Sequence, residues 1–179
     1  GTFTMNGGAK ITDNSARYGG GVYVAANGAF TMNGGSITNN KANKSKTNSM
    51  GGGVYVNGTF TMSGGEISGN TATSNGGGVY AGGTFTVSGA AKVTGNKKNN
   101  ANNNVYLPKG KNITIGAAQT DLIGVTTANA PTEDGTTIAT AGSGYTITDT
   151  DKARFYSDNI SYQVVYEGDK LVLKASTPT

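Results

Sequence analysis

One block of sequence recurs four times within the first 107 residues of the chain, and such a repeat restricts the fold more than any other feature. Each block contains a Thr-Phe-Thr-Met-type segment, an Ile-Thr-type segment that leads to an Asn, and a Gly-Gly-Gly-Val-Tyr-type segment. The phenylalanines lie at positions 3, 30, 60 and 85, so successive blocks are offset by 27, 30 and 25 residues. We therefore expect each block to form one coil of a stacked structure.

The three segments alternate apolar with polar residues and are separated by turns rich in Gly and Asn, which is the pattern of short β-strands. A short strand cannot bury its apolar face alone, but stacked coils about 4.8 Å apart bury a continuous core. Crossovers between parallel strands are strongly biased to the right-handed sense. The sequence thus predicts an all-β right-handed parallel β-helix of about five coils with three strands each. It lacks the patterns of leucine-rich repeats and of propeller blades.

The alternation also assigns side chains to faces, because successive residues of a strand point to opposite sides. Like residues are expected to stack on like residues in a uniform core. The predicted inward positions are Phe3, Phe30, Phe60, Phe85, Met5, Met32, Met62 and Val87 in the first segment, Ile11, Ile37, Ile67 and Val93 in the second, and Val22, Val54, Val79, Val105, Val24, Val56, Ala81 and Leu107 in the third.

Two further repeated features predict the corners of the coils. An Asn follows each Ile-Thr-type segment, and we expect these amides to bond to turn backbone and to one another along the stack. The Gly-Gly-Gly runs are expected at corners where a side chain would clash. A phosphate-binding loop is not indicated there, because no helix or Lys-Ser/Thr pair follows. The predicted Asn column comprises Asn14, Asn40, Asn70 and Asn96.

The order Ile-x-x-Asn, short loop, Gly-Gly-Gly-Val-Tyr resembles the repeats of chlamydial polymorphic outer membrane proteins. The whole unit is still more similar to the adhesin-like right-handed parallel β-helix regions of large Gram-positive surface proteins. Residues 2–115 carry this resemblance. It implies the β-helix fold and a place on the cell surface or in the cell wall, as an extracellular part of a larger protein. It implies no particular activity, cofactor or ligand.

The repeat weakens after residue 125, so we divide the chain into β-helix repeats over 1–125, a C-terminal β cap over 126–174 and the start of a linker over 175–179. Within the cap, residues 126–144 are predicted to be a loop, 144–148 a strand and 149–155 a short helical turn. The segments 162–166 and 170–174 flank Glu-Gly-Asp and predict a β-hairpin. A cap is expected because the open end of a solenoid is an adhesive edge.

The residue types argue against catalysis. The chain contains no His and no Cys, which removes the usual bases, thiolate nucleophiles and Cys/His metal sites. The repeats hold only two carboxylates, Asp13 and Glu66, and these lie two coils apart. We therefore predict no catalytic residue, no metal site, no cofactor and no enzymatic activity. The alternative is a fragment of a polysaccharide-active β-helix enzyme, a lyase or glycosidase, whose paired carboxylates lie in other coils.

A column of tyrosines is the strongest candidate for a binding site. Tyr23, Tyr55, Tyr80 and Tyr106 each lie between inward positions, so they are predicted to point outward and form an exposed aromatic strip. Exposed aromatic strips mark binding surfaces, and rings with hydroxyls suit sugars. The predicted role is thus a non-catalytic adhesin or stalk module that binds host or microbial glycans or proteins. In the alternative, the tyrosines only stabilise the sheet or lie beneath a loop such as residues 41–50.

Outward threonines form a second candidate surface, and regular threonine rows on a β-helix resemble ice-binding faces. Against this, Thr is favoured on any exposed strand, and charged side chains (Lys10, Glu66, Lys92) interrupt the second row. Ice binding is therefore a minor alternative. The first row comprises Thr4, Thr31, Thr61, Thr86 and Thr114, and the second Thr12, Thr38, Ser68 and Thr94.

Charge divides the chain into two parts. Residues 1–115 carry ten basic and two acidic side chains, whereas residues 116–179 carry four basic and eight acidic ones. Residues 41–50 form a predicted basic loop. We expect this loop either to contact anionic partners or to be a tolerated insertion. No nucleic-acid partner is predicted. No apolar run approaches the roughly 20 residues of a membrane-spanning helix, so no membrane insertion is predicted. The uncapped N-terminal coil predicts end-to-end association.

Overall fold

In the computed structural model, which describes residues 1–176, the chain is a nearly all-β parallel solenoid of about five turns. Residues 177–179 of the predicted linker lie outside the described residues, and Ala175 belongs to the last strand. The first two coils contain β1 (Thr2–Met5), β2 (Lys10–Thr12), β3 (Ser15–Ala16), β4 (Val22–Val24), β5 (Ala29–Met32), β6 (Ser36–Thr38), β7 (Lys41–Ala42) and β8 (Val54–Val56). The next two contain β9 (Thr59–Met62), β10 (Glu66–Ser68), β11 (Thr71–Ala72), β12 (Val79–Ala81), β13 (Thr84–Gly89), β14 (Lys92–Val93), β15 (Lys97–Lys98), β16 (Ala101–Asn102) and β17 (Val105–Leu107). The rest of the chain forms β18 (Ile113–Gln119), β19 (Ile123–Thr127), β20 (Thr136–Ala141), α1 (Asp149–Lys152), β21 (Phe155–Ser157), β22 (Tyr162–Glu167) and β23 (Lys170–Ala175).

The strands form three sheets. Sheet A has the order β1-β5-β9-β13-β18-β20-β23-β22 and contains the Thr-Phe-Thr-Met-type segments. Sheet B has the order β2-β6-β10-β14-β19-β17-β12-β8-β4, with β21 paired to β19, and so contains both other predicted segments. Sheet C, in the order β16-β15-β11-β7-β3, consists of two-residue strands that the sequence did not predict. Each repeated coil therefore has at least four strands rather than three.

Sheet C exists because the chain leaves sheet B and returns to it within each repeat. In the fifth turn β19 runs straight through, since Ile123 pairs with Val93 and Val125 with Val105. One residue, Gly124, thus spans a distance that ten residues, 12–21, span in the first coil. We call residues 12–21, 38–53, 68–78 and 94–104 the lateral excursions. Each excursion except the last returns to sheet B through a Gly triplet.

The Gly triplets pass too close to the neighbouring coil for a side chain, as predicted. A Cβ on Gly52 would overlap the carbonyl oxygens of Gly77 and Thr71. At the other end of each excursion, the residue before the column Asn has a positive φ, a region that Gly, Asn and Asp tolerate best. These residues are Asp13 (φ 59°), Asn39 (58°), Gly69 (66°) and Gly95 (68°).

The predicted Asn column is confirmed, and it forms a hydrogen-bonded ladder. The Oδ1 atom of Asn70 accepts the backbone N–H of Asn40 at 2.9 Å and its Nδ2 at 3.0 Å. The same pair of bonds joins Asn14 to Asn40 and Asn70 to Asn96. Asn40, Asn70 and Asn96 are fully buried. Each buried amide has partners in the coils above and below. The ladder therefore supplies hydrogen-bond partners to the backbone groups at the ends of the sheet B strands.

The ladder ends on a carboxylate. Asn104 replaces the last Gly of the triplet, and its Oδ1 accepts from the backbone N and Nδ2 of Asn96 at 2.9 and 3.1 Å. Asp158 then accepts from the backbone N of Asn104 at 2.7 Å and from Thr126 at 2.8 Å. Gly124 lies beside this junction, where a Cβ would come within 2.6 Å of Asp158 Oδ1. A larger residue at position 124 would therefore displace side chains at the end of the ladder.

The inward positions predicted from the alternation form the core, with exceptions in the first coil. Phe30, Phe60 and Phe85 are 0–2% exposed and Met32, Ile37 and Val54 are fully buried. Phe3, predicted to be inward and buried, is instead 48% exposed, and Ile11 and Val22 are only partly buried. The reason is that the first coil packs against a neighbour on one side only.

The C-terminal region corrects three predictions. The loop predicted over 126–144 contains β20, which pairs in parallel with β18, so parallel stacking continues beyond residue 125. The strand predicted over 144–148 is absent, because Thr148 instead caps α1 and bonds to Asp151. Phe155, predicted to end the helical turn, instead begins β21, a strand of sheet B that the sequence did not predict.

The predicted short helix and hairpin are present as α1 and β22–β23, and β23 pairs antiparallel with β20 at the end of sheet A. No helix within residues 1–176 has the length and apolar character needed to cross a membrane.

Candidate binding surface

The four predicted site tyrosines form one column on the outer face of sheet B. Parallel pairing aligns Tyr23 with Tyr55, Tyr55 with Tyr80 and Tyr80 with Tyr106. Their strand neighbours Val54, Val56, Val79 and Val105 are fully buried, so the tyrosines lie on the opposite face. The structure therefore brings all four predicted residues together, and we call Tyr23, Tyr55, Tyr80 and Tyr106 the tyrosine strip.

The rings of the tyrosine strip are stacked nearly parallel. Successive ring centroids are 5.4, 4.9 and 5.5 Å apart, with interplanar angles of 7°, 4° and 21°. Each interior ring thus has its faces packed against its neighbours, which is a favourable offset arrangement. Such a column presents a row of ring edges and hydroxyls to a ligand. Tyr23, on the first strand of the column, is the most exposed of the four at 52%.

A hollow lies at the first coil of the solenoid. It has a volume of about 320 Å³, and its lining includes Phe3, Val22, Tyr23 and Phe30. Phe30 belongs to the buried core, and Val22 packs against that core. The hollow is therefore the end of the core at the first coil, and it is separate from the outer face that carries the tyrosine strip.

A fifth tyrosine, which the sequence analysis did not assign to the site, packs against the strip from the first lateral excursion. The Tyr18 ring lies 5.2 Å from the Tyr55 ring at an angle of 49°. The guanidinium of Arg17 lies 5.1 Å from the centroid of the Tyr18 ring, within cation–π range. Tyr18 precedes the first Gly triplet, at the position where the other coils have Met50 or Asn75, so the repeat pattern gave no signal for it.

Three hydroxyls of the strip hold their protons more tightly than a free tyrosine. Burial raises the pKa of Tyr55, Tyr80 and Tyr106 above the ordinary tyrosine value, and neighbouring tyrosines raise it further for Tyr55 and Tyr106. A neutral hydroxyl can both donate and accept a hydrogen bond. These three residues therefore present an uncharged row of donors and acceptors.

The first predicted threonine row lies on the outer face of sheet A and is longer than the sequence indicated. Thr4, Thr31, Thr61, Thr86 and Thr114 pair in one register, and Thr140 on β20 continues it. The charged residues that interrupt the second row (Lys10, Glu66, Lys92) lie on sheet B, so they do not interrupt this one.

The carboxylates of the described residues do not assemble a catalytic pair. Glu66 Oε1 lies 3.4 Å from Lys92 Nζ, and Asp13 is in the first coil. Asp151 is buried and accepts hydrogen bonds from Gln119, Tyr145 and Thr148. Burial raises the pKa of Asp151, but these bonds lower it by more, so it stays below the ordinary value. Residues 1–176 hold no group of three His, Cys, Asp or Glu side chains able to bind a metal.

Comparison of the chain with protein-family models, with curated protein sequences and with solved structures finds no match. The assignment of the fold therefore rests on the strand pairing itself.

Proposed function

We propose that this chain is a non-catalytic adhesin or stalk module of a larger bacterial cell-surface protein, and that its tyrosine strip binds glycans. The observation that carries the proposal is the unbroken outward column of four stacked tyrosines. Sheet stability alone does not need tyrosine there, since the next residue of the same column is Thr126. Extracellular placement is supported by the similarity of the repeat to surface β-helix regions.

The geometry supports one mode of binding in particular. A glycan polymer lies along the strip and contacts the ring edges and hydroxyls of its four tyrosines. Polar groups at regular intervals suit a polymer better than a single small molecule, because each unit adds one weak contact and the contacts reinforce each other. The stacked rings are held in place before binding, which reduces the ordering cost.

The proposal is tested by binding of the purified chain to an array of neutral and charged glycans. The key variant is Tyr55→Thr with Tyr80→Thr, because Thr already occupies the next place of this column at position 126. A matched control is Tyr162→Thr, which alters a part-buried tyrosine on the hairpin. We expect wild type and control to bind a defined glycan family, and the double variant to lose at least tenfold in affinity.

Two results would contradict the proposal. One is unchanged glycan binding by a folded Tyr55→Thr/Tyr80→Thr variant. The other is no binding of the wild-type chain to any glycan, which would leave a rigid spacer as the role of the module. The variant Tyr55→Phe with Tyr80→Phe separates the contributions, because it keeps the stacked rings and removes two hydroxyls.

The continuous threonine row on sheet A favours ice binding as a second candidate function. Six threonines in one register, Thr4 to Thr140, present hydroxyls and methyls at the spacing of β-strands, about 4.8 Å. Thermal hysteresis in solution that is lost on Thr61→Lys would support this candidate. Its absence in the wild-type chain would exclude it.

A further inference from the structure

The lateral excursions carry most of the positive charge of the repeats. They contain Arg17 and five lysines against a single carboxylate, Asp13. In contrast, the strands of sheet A between Thr2 and Gln119 contain no charged residue. The basic character of the first part of the chain is therefore concentrated on the sheet C side. The five lysines are Lys41, Lys44, Lys46, Lys97 and Lys98.

Sheet C gives these lysines fixed positions. Lys41, Thr71 and Lys97 pair in one register, and the neighbouring Ala42 and Ala72 are buried, so the two lysines lie on the exposed side. Two strand spacings separate them, roughly 10 Å. This regular column differs from a random scatter of surface lysines.

The longest excursion is tied to its neighbours rather than projecting freely. Thr73 Oγ1 donates to the Ser45 carbonyl at 2.6 Å, and Ser45 N donates to Ser49 Oγ at 2.8 Å. Arg17 Nε donates to the Asn48 carbonyl at 3.2 Å. The exposed Lys44 and Lys46 are thus carried on an anchored loop, close to the column of Lys41 and Lys97.

No acidic side chain within residues 1–176 forms an ion pair with an excursion lysine or with Arg17. The ion pairs found within residues 1–176 join Lys92 to Glu66 and Lys174 to Glu167, and neither involves an excursion lysine. Lys98 donates to Asn75 Oδ1 at 3.1 Å, a neutral partner. Repulsion among unpaired lysines destabilises the fold slightly, and an anion bound between them would remove that repulsion.

The basic side is continuous with the tyrosine strip. Arg17 stacks on Tyr18, and Tyr18 packs against Tyr55 in the middle of the strip. The first three excursions return to sheet B through Gly triplets and the last through three asparagines, so each ends directly before a strand that carries a strip tyrosine. Arg17 therefore lies beside the strip, and the excursion lysines lie on the segments that lead into it.

We infer that the tyrosine strip and the lateral excursions form one composite site, and that its ligand is an anionic glycan carrying carboxylate, sulfate or phosphate groups at regular intervals. This inference rests on the proposed function and names its ligand class. The strip contributes hydrogen bonds and ring contacts to the sugar, and the lysine column with Arg17 binds the charges. Hydroxyl contacts persist in salt, whereas contacts between exposed charges weaken with ionic strength.

The test uses four polymers of matched length: a sulfated glycosaminoglycan, polygalacturonate, poly(ribitol phosphate) and neutral dextran. The first three separate sulfate, carboxylate and phosphate sources, and duplex DNA serves as a non-glycan polyanion. The key variant replaces Lys41, Lys44, Lys46 and Lys97 by Gln. The matched control replaces Lys10, Lys109, Lys111 and Lys152 by Gln, which changes the net charge equally at exposed sites outside sheet C.

We expect at least one anionic glycan to bind more tightly than dextran and than DNA. The key variant should weaken that binding about tenfold, as four exposed charge contacts would, and the control should change it less than about twofold. Equal losses in both variants, or DNA binding as tight as the best glycan, would overturn the inference in favour of non-selective charge attraction. Tight binding of dextran that depends on Tyr55 and Tyr80 and not on the lysines would overturn the inference and leave the proposed function standing.

Discussion

Two aromatic columns run along this solenoid with almost the same geometry and different surroundings. The phenylalanine column on the inner face of sheet A has ring centroids 4.7–5.1 Å apart. The tyrosine strip on the outer face of sheet B has spacings of 4.9–5.5 Å. Phe60 is fully buried, whereas Tyr23 is 52% exposed.

The difference shows that stacking by itself does not reveal a role. Parallel coils in register bring identical residues to the strand spacing on either face, so any repeated aromatic will stack. Inside, the stacked rings also replace water over their whole surface and so stabilise the fold. Outside, the rings keep their edges and hydroxyls in water, and four successive places of the column hold Tyr rather than a small β-branched residue.

The largest expected effect comes from breaking the inner column. Phe60→Ala removes a fully buried ring packed between Phe30 and Phe85, and it should lower the free energy of unfolding by about 4 kcal/mol. Tyr55→Ala removes an equally stacked but half-buried ring and should cost about 2 kcal/mol. Urea unfolding of both variants measures the difference. Equal losses would contradict the distinction between the columns.

The Asn ladder is a second inner column, and its middle and its end should differ. Asn70→Ala removes the acceptor of the buried backbone N–H of Asn40, and it also removes one hydrogen bond each from Asn40 Nδ2 and from the Ile37 carbonyl. We expect a loss of about 3 kcal/mol in the free energy of unfolding. Asn14→Ala, at the exposed end, leaves Asn40 Oδ1 still bonded to the backbone N–H of residue 14 and should cost about 1 kcal/mol or less.

A substitution at Asp158, the carboxylate that ends the Asn ladder, should change the free energy of unfolding by less than the substitutions above. Burial raises the pKa of Asp158, and this outweighs the hydrogen bonds from Asn104 and Thr126 that lower it. The folded chain therefore holds this proton to higher pH than the unfolded chain, so the stability that the group contributes is lost as pH rises through its raised pKa. Asp158→Asn stays neutral and keeps one acceptor oxygen, as the ladder asparagines do.

The free energy of unfolding of Asp158→Asn relative to wild type should accordingly rise as pH is raised from acid to neutral. Asp151→Asn serves as the control of opposite sign, because hydrogen bonding holds the pKa of Asp151 below its ordinary value. Its cost should be greatest at neutral pH and shrink as pH falls. Parallel pH profiles for the two variants would show that the account of the ladder end is wrong.

The repeated coils were predictable because each place in the coil is filled by one residue type. Phe, Met, Ile, Val and Asn recur at fixed positions, so alternation predicts the faces of the apolar residues and the recurring Asn predicts the ladder. The two-residue strands of sheet C were missed because Ser15–Ala16 and Lys41–Ala42 are too short to show a period. Only their pairing across coils reveals them.

The last turns were harder to predict from the sequence, because the positions equivalent to those of the repeated coils hold different residue types. Ala139 pairs with Ile113 at a phenylalanine place of sheet A, and Phe155 pairs with Ile123 at an isoleucine place of sheet B. Asp158 takes the role of a ladder Asn. It lies three residues after Phe155, just as Asn40 lies three residues after Ile37. Packing and hydrogen bonding make these positions structurally equivalent although their residue types differ. A single sequence does not reveal that equivalence. Of the candidate site, the strip was predicted in full, whereas Tyr18 and Arg17 were not assigned to it.

The most direct test of the central claim, that the outer aromatic column is the binding surface, is a titration of the labelled chain with the best glycan of the array, followed by the ring proton signals in NMR spectra. The account predicts saturable shifts for Tyr23, Tyr55, Tyr80 and Tyr106. The rings of Phe30, Phe60 and Phe85 on the inner column serve as the internal reference and should not move. Shifts confined to the hairpin or the core, with the tyrosine strip unchanged, would contradict the account.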